Sequence, residues 1–144
     1  MKGMSLIVRT ITTVMIGFIF VYGIYIILHG HLTPGGGFAG GVIVAGAFIL
    51  RILAFGSEPG GEKKSEIRAS IFESVGALLF IGIALAGMVV AGTFFLNFLP
   101  KGIAFNLYSA GIIPFCNIAI GIKVGAGLFS IFLALAAVKY VVKD

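Results

Sequence analysis

Few side chains in this sequence can do charge-based chemistry, and the setting of five makes them candidates: Lys123, Glu73, Arg51, His29 and His31 lie within or beside long apolar stretches. An ionisable group inside a membrane span is costly, and by default it is a candidate for an ion or proton path. Lys123 follows Asn117 by six residues, which places it roughly 9 Å into the last apolar stretch at helical rise. Its competing role is structural, because side chains tilt toward the helix N-terminus and the ammonium could snorkel to the nearer interface. No other stretch carries an acid at that depth, so a buried counter-ion for Lys123 is expected from another chain.

Glu73 has two structural readings beside a proton relay. Ser70-x-x-Glu73 has the form of a capping box, in which the carboxylate serves a helix N-terminal amide. Alternatively, Glu73 pairs with Arg51, whose expected depth matches within roughly one helical turn. His29-Gly30-His31 resembles a ligand pair, but residues two apart on a helix face differently and no third ligand is close. The histidines read as an interfacial turn with Tyr22 and Tyr25 as headgroup anchors, and as groups able to relay protons near neutral pH. Cys116 is the single cysteine, and no Cys/His spacing fits zinc or an iron-sulfur cluster. No catalytic residue, metal or cofactor is expected on this chain.

The elements that position these residues follow from composition. Of 144 residues, 60% are hydrophobic and 10% charged, against about 25% charged in a soluble domain. With a mean hydropathy of +1.19, the solvent is mostly lipid. A hydrocarbon core about 30 Å thick needs roughly 20 apolar residues of helix, and four such runs occur, at about 6–28, 38–55, 71–98 and 117–142. The expectation is an all-α membrane protein with four transmembrane helices, forming a single integral membrane domain over residues 1–144. The first run exceeds a signal-peptide core of about 7–15 residues and reads as a retained span.

The net charge of +5 does not point to nucleic acid, because the basic residues gather at span ends. Lys2, Arg9, Arg51, Lys63, Lys64, Arg68, Lys139 and Lys143 fall on one side and Lys101 on the other. The positive-inside rule then predicts a multi-pass protein of the cell membrane with both termini cytoplasmic. Residues 56–69, with Glu58, Glu62, Lys63, Lys64, Glu66 and Arg68, read as a solvated connector. Residues 99–114 are apolar for a loop and either lie in the interface or re-enter, the latter requiring protein neighbours. Small residues recur four apart at Gly36/Gly40, Gly37/Gly41, Gly41/Ala45, Gly82/Ala86, Gly87/Ala91 and Gly121/Gly125. That spacing predicts close helix packing within the chain and docking onto other subunits.

The string HGHLTPGGGFAGGV at 29–42, with Thr33, Pro34, Gly35, Gly36, Gly37 and Phe38 at its centre, resembles the MnhB/MrpB family, the B subunit of Mrp-type multisubunit cation/proton antiporters. NIAIGIKVGAGL at 117–128 is the second match, and with the four-span layout the likeness covers almost the whole chain. The resemblance implies a small transport subunit beside other Mrp-type antiporter subunits, in an assembly that exchanges Na⁺ for H⁺. It equally implies the corresponding subunit in the Na⁺/H⁺ module of a membrane-bound hydrogenase or sulfur reductase. A self-sufficient four-span exporter is disfavoured, since that class needs an acid in the middle of span one and none is present.

Overall fold

The computed structural model describes residues 3–56, 61–107 and 109–141; Lys2, Glu58 and Lys143 of the expected basic side and connector lie outside them. Four helices follow in order: α1 (Leu6–Leu28), α2 (Gly37–Phe55), α3 (Gly61–Ala91) and α4 (Ile113–Val141). All four are long and apolar enough to cross a membrane, and the described residues contain no strand.

Local chemistry sets the helix ends. α2 stops at Gly56, which takes φ +81° while its N–H bonds the Ile52 carbonyl. α3 stops at Gly92, with φ +74° and its N–H on Met88. Both use the left-handed conformation that glycine adopts without a Cβ penalty.

Three boundaries correct the expectation. α3 begins at Gly61, not Ile71, so most of the expected connector is helix. Its Glu, Lys and Arg side chains are good helix formers and do not interrupt the backbone ladder. α3 also ends at Ala91, short of Phe98, while α4 begins at Ile113 with Pro114 in its first turn, where a missing N–H costs nothing.

In space the helices run α1, α2, α4, α3. α1 packs on α2, α2 and α3 both pack on α4, and α1 touches α4 more lightly. The packed interior is made of small residues: Ala45, Ala47, Ala84 and Ala119 are each 1% exposed and Ala54 0%, whereas among the described residues no large side chain is fully buried. Large apolar side chains point outward, as at Val89, Leu78 and Phe18. Association in lipid gains little from burying apolar surface, so helices meet where small residues let their backbones touch.

Candidate functional site

Of the expected small-residue pairs, Gly37/Gly41 and Gly121/Gly125 form a seam between α2 and α4, while Gly40 turns to α1. A Cβ on Gly40 would fall 2.7 Å from the Gly23 carbonyl of α1, and one on Gly41 2.8 Å from the Gly121 carbonyl of α4. Gly37 presses on the Asn117 carbonyl, and its N–H bonds Asn117 Oδ1 at 3.4 Å. The strings at 29–42 and 117–128, far apart in sequence, are thus packed against each other. Gly35 and Gly36, at φ +131° and +104°, make the reversal that delivers α2 to this contact. Near it, Asn117 Nδ2 and His31 Nδ1 are buried without a hydrogen-bond partner.

Gly82 does not join the packing: nothing lies within 4 Å of a Cβ placed there. The Gly82/Ala86 face instead borders a groove of about 410 Å³ with Leu78, Leu79 and Phe98. Gly87 meets residues 95–96 of its own chain.

Lys123 is paired within the chain. Its Nζ donates to Glu73 Oε1 at 3.4 Å, and the two side chains are 50% and 41% exposed. This corrects the expectation of a counter-ion from another chain. It also removes both structural readings of Glu73: Ser70 lies inside α3, where its carbonyl accepts from Ser74 Oγ, and Arg51 makes no ion pair with Glu73. The early start of α3 is the physical reason, because it sets Glu73 twelve residues, about 18 Å, from the helix end. Lys123 is correspondingly about 15 Å from the start of α4. The helices approach closely at Gly76, where a Cβ would lie 2.7 Å from the Lys123 backbone nitrogen, and Gly127 leaves room for the Glu73 carboxylate one turn further along α4. The pair opens outward from the bundle at mid-helix and is not enclosed by this chain.

Arg51 lines a separate groove with Arg68. His29 donates from Nδ1 to the Tyr25 carbonyl at 3.0 Å and stacks on the Tyr25 ring at 4.1 Å between centroids. His31 donates from Nε2 to the Asn106 carbonyl at 3.4 Å, so the two histidines serve different partners. No three His, Cys, Asp or Glu side chains gather among the described residues.

The connection between α3 and α4 turns back into the bundle. Phe95 N–H reaches the Ala84 carbonyl at 3.4 Å, seven residues or about 10 Å back from the end of α3. The Phe95 ring packs on Phe80 at 5.1 Å. Asn97 fastens the far side, donating from Nδ2 to the Ala110 carbonyl at 3.0 Å and accepting the Ile112 N–H at 3.1 Å. Ile103 and Phe105 remain 79% and 90% exposed, with Phe105 at φ +67°. Asn97, Asn117 and Arg68 were not singled out as functional positions from sequence, although a polar amide in an apolar stretch signals a need for a partner.

This arrangement defines a multi-pass membrane protein whose packing seam is built from two sequence strings and whose ionic pair faces outward. A family model described as the domain related to the MnhB subunit of Na⁺/H⁺ antiporters matches residues 7–130, and the chain belongs to that family. An uncharacterized protein of Methanocaldococcus jannaschii is 38% identical over 131 residues, covering 84% of this chain and 48% of the relative. A putative antiporter subunit mnhB2 of Staphylococcus aureus is 43% identical over 58 residues, 40% of this chain and 41% of that one. Among solved structures, a chain of the membrane-bound sulfane sulfur reductase, an archaeal respiratory membrane complex, matches with a TM-score of 0.74 and 31% identity over 91% of this chain and 57% of that chain. The chain therefore spans about half the length of the relatives it matches.

Proposed function

We propose that this chain is a non-catalytic membrane subunit of a multisubunit Na⁺/H⁺ antiporter, shaping the ion-translocation module and holding its neighbours, with no cofactor of its own. Membership of the MnhB family carries the reading. Two features support dependence on partners. Irregular backbone around Phe95 turns back along α3, which at membrane depth is tolerated only against protein or a wet cavity, and Ile103 and Phe105 further along the same connection are exposed. The Lys123–Glu73 pair is also half open at mid-helix, where an ion pair gains from a further wall of protein. The basic flanks of the spans support a subunit of the cell membrane with both termini cytoplasmic.

The likeness to the sulfane sulfur reductase chain favours a second reading, in which the same subunit belongs to the ion module of a redox-driven complex. Gentle-detergent purification through a tag on this chain, with mass spectrometry of what accompanies it, separates the two. Antiporter subunits alone are expected for an autonomous exchanger; nickel-iron or iron-sulfur subunits in the same particle move the function to redox-driven pumping. Reconstitution tests the dependence on partners: Na⁺-dependent proton movement is expected from the assembly, and its appearance with this chain alone would overturn the proposal.

A further inference from the structure

Because α3 packs on α4 but not on α2, a lateral gap stays open between α2 and α3, floored by α4. It forms a groove of about 480 Å³, in the range of roughly 300–1,000 Å³ usual for ligand clefts. Phe48, Phe72 and Phe129 contribute from α2, α3 and α4, and Phe20 of α1 joins them. Phe48 anchors this wall, with its ring centroid 5.8 Å from both Phe20 and Phe129.

Ser65 and two cations, Arg51 and Arg68, complete the lining, and among the described residues no carboxylate does. Arg51 lies four residues, about 6 Å, from the end of α2, and Arg68 seven residues, about 10 Å, from the start of α3. The Cβ of Arg51 tilts toward the bilayer interior, while Arg68, whose Nε bonds the Lys64 carbonyl at 3.4 Å, tilts toward the helix end. The tilts bring the two guanidiniums toward one level at the end of the bundle where α1 begins and α4 ends. Lys63 and Lys64 stand exposed at the same end.

We infer that this groove binds one anionic phospholipid, its phosphate held between Arg51 and Arg68 and an acyl chain laid over α4 against the phenylalanine wall. The charge distribution selects this occupant. An apolar slot alone accepts a lipid tail or a helix of another subunit, but two guanidiniums at one end and no acid among the described lining residues call for an anion, and the guanidinium fork matches phosphate oxygens. A basic pocket between transmembrane helices at headgroup level has that chemistry.

The test uses the intact assembly in nanodiscs containing phosphatidylglycerol or phosphatidylcholine, with retained lipid counted by native mass spectrometry after partial delipidation. One phosphatidylglycerol is expected to stay on this subunit, while Arg51→Gln/Arg68→Gln lowers its retention by about thirtyfold and leaves phosphatidylcholine unchanged. Ala126→Leu, which fills the groove and keeps both arginines, is expected to displace the lipid as well. Should these variants fail to assemble, the unaltered protein decides: a phosphatidylglycerol carrying a diazirine in mid-chain is expected to label peptides containing Phe72 or Phe129. Equal retention of the two lipids, labelling confined to other surfaces, or cross-linking of a photoreactive residue at position 72 to a partner helix would overturn the assignment.

Discussion

Neutralising Lys123 or Glu73 alone should harm the protein more than neutralising both. At 3.4 Å two unit charges attract by about 5 kcal/mol at an effective dielectric of about 20, and by about 1 kcal/mol in bulk water. Side chains 50% and 41% exposed lie between those limits, so a coupling of about 1–3 kcal/mol is expected. A single variant, Lys123→Met or Glu73→Leu, also leaves one charge facing lipid, at roughly 2.5–3.5 kcal/mol for a mid-helix position. The double variant leaves none. Unfolding of the wild type, both singles and the double in SDS, followed by far-UV circular dichroism, gives the four corners of a double-mutant cycle. The double is expected to be more stable than either single. Loss in the double equal to the sum of the singles would refute the pairing, and the structural account of Glu73 with it.

The close contact of the two sequence strings makes Gly41→Leu destabilising by about 1–3 kcal/mol or more, since its Cβ would meet a backbone carbonyl that cannot move aside; thermal unfolding in detergent measures it. Gly82→Ala meets nothing within 4 Å and should stabilise the isolated chain by about 0.5–1 kcal/mol through helix propensity, whereas reduced recovery of the assembly with this variant would show a partner helix on that face. Asn97→Ala removes two hydrogen bonds and should cost about 1–3 kcal/mol, with faster hydrogen exchange at 96–107 and little change in α1 and α2.

Four apolar runs and their basic flanks are legible without coordinates, because hydropathy is a sum over neighbouring residues. The family was legible for the same reason, since both strings are contiguous. The start of α3 was not. Its first turns carry Lys63, Lys64, Glu66 and Arg68, whose polarity reads as a connector although their helix propensity is high. That ten-residue shift moved Glu73 from a helix end to the middle of a helix and hid its partner.

The sequence by itself determined the solvent of this protein, its four spans and its family. Only the tertiary structure decided that α4 lies between α2 and α3, that Gly37 and Gly41 of the first string rest on Asn117 and Gly121 of the second, and that Lys123 meets Glu73. It also decided that residues 92–98 turn back along α3, which leaves the groove beside Arg51 and Arg68 as a separate feature. The physical reason is range: hydropathy and turn chemistry act along the chain, whereas the register of one helix against another is set by where backbones can approach. Those approaches depend on glycines meeting backbone far away in the sequence, such as Gly76 against the Lys123 backbone and Gly41 against Gly121, which no local pattern records.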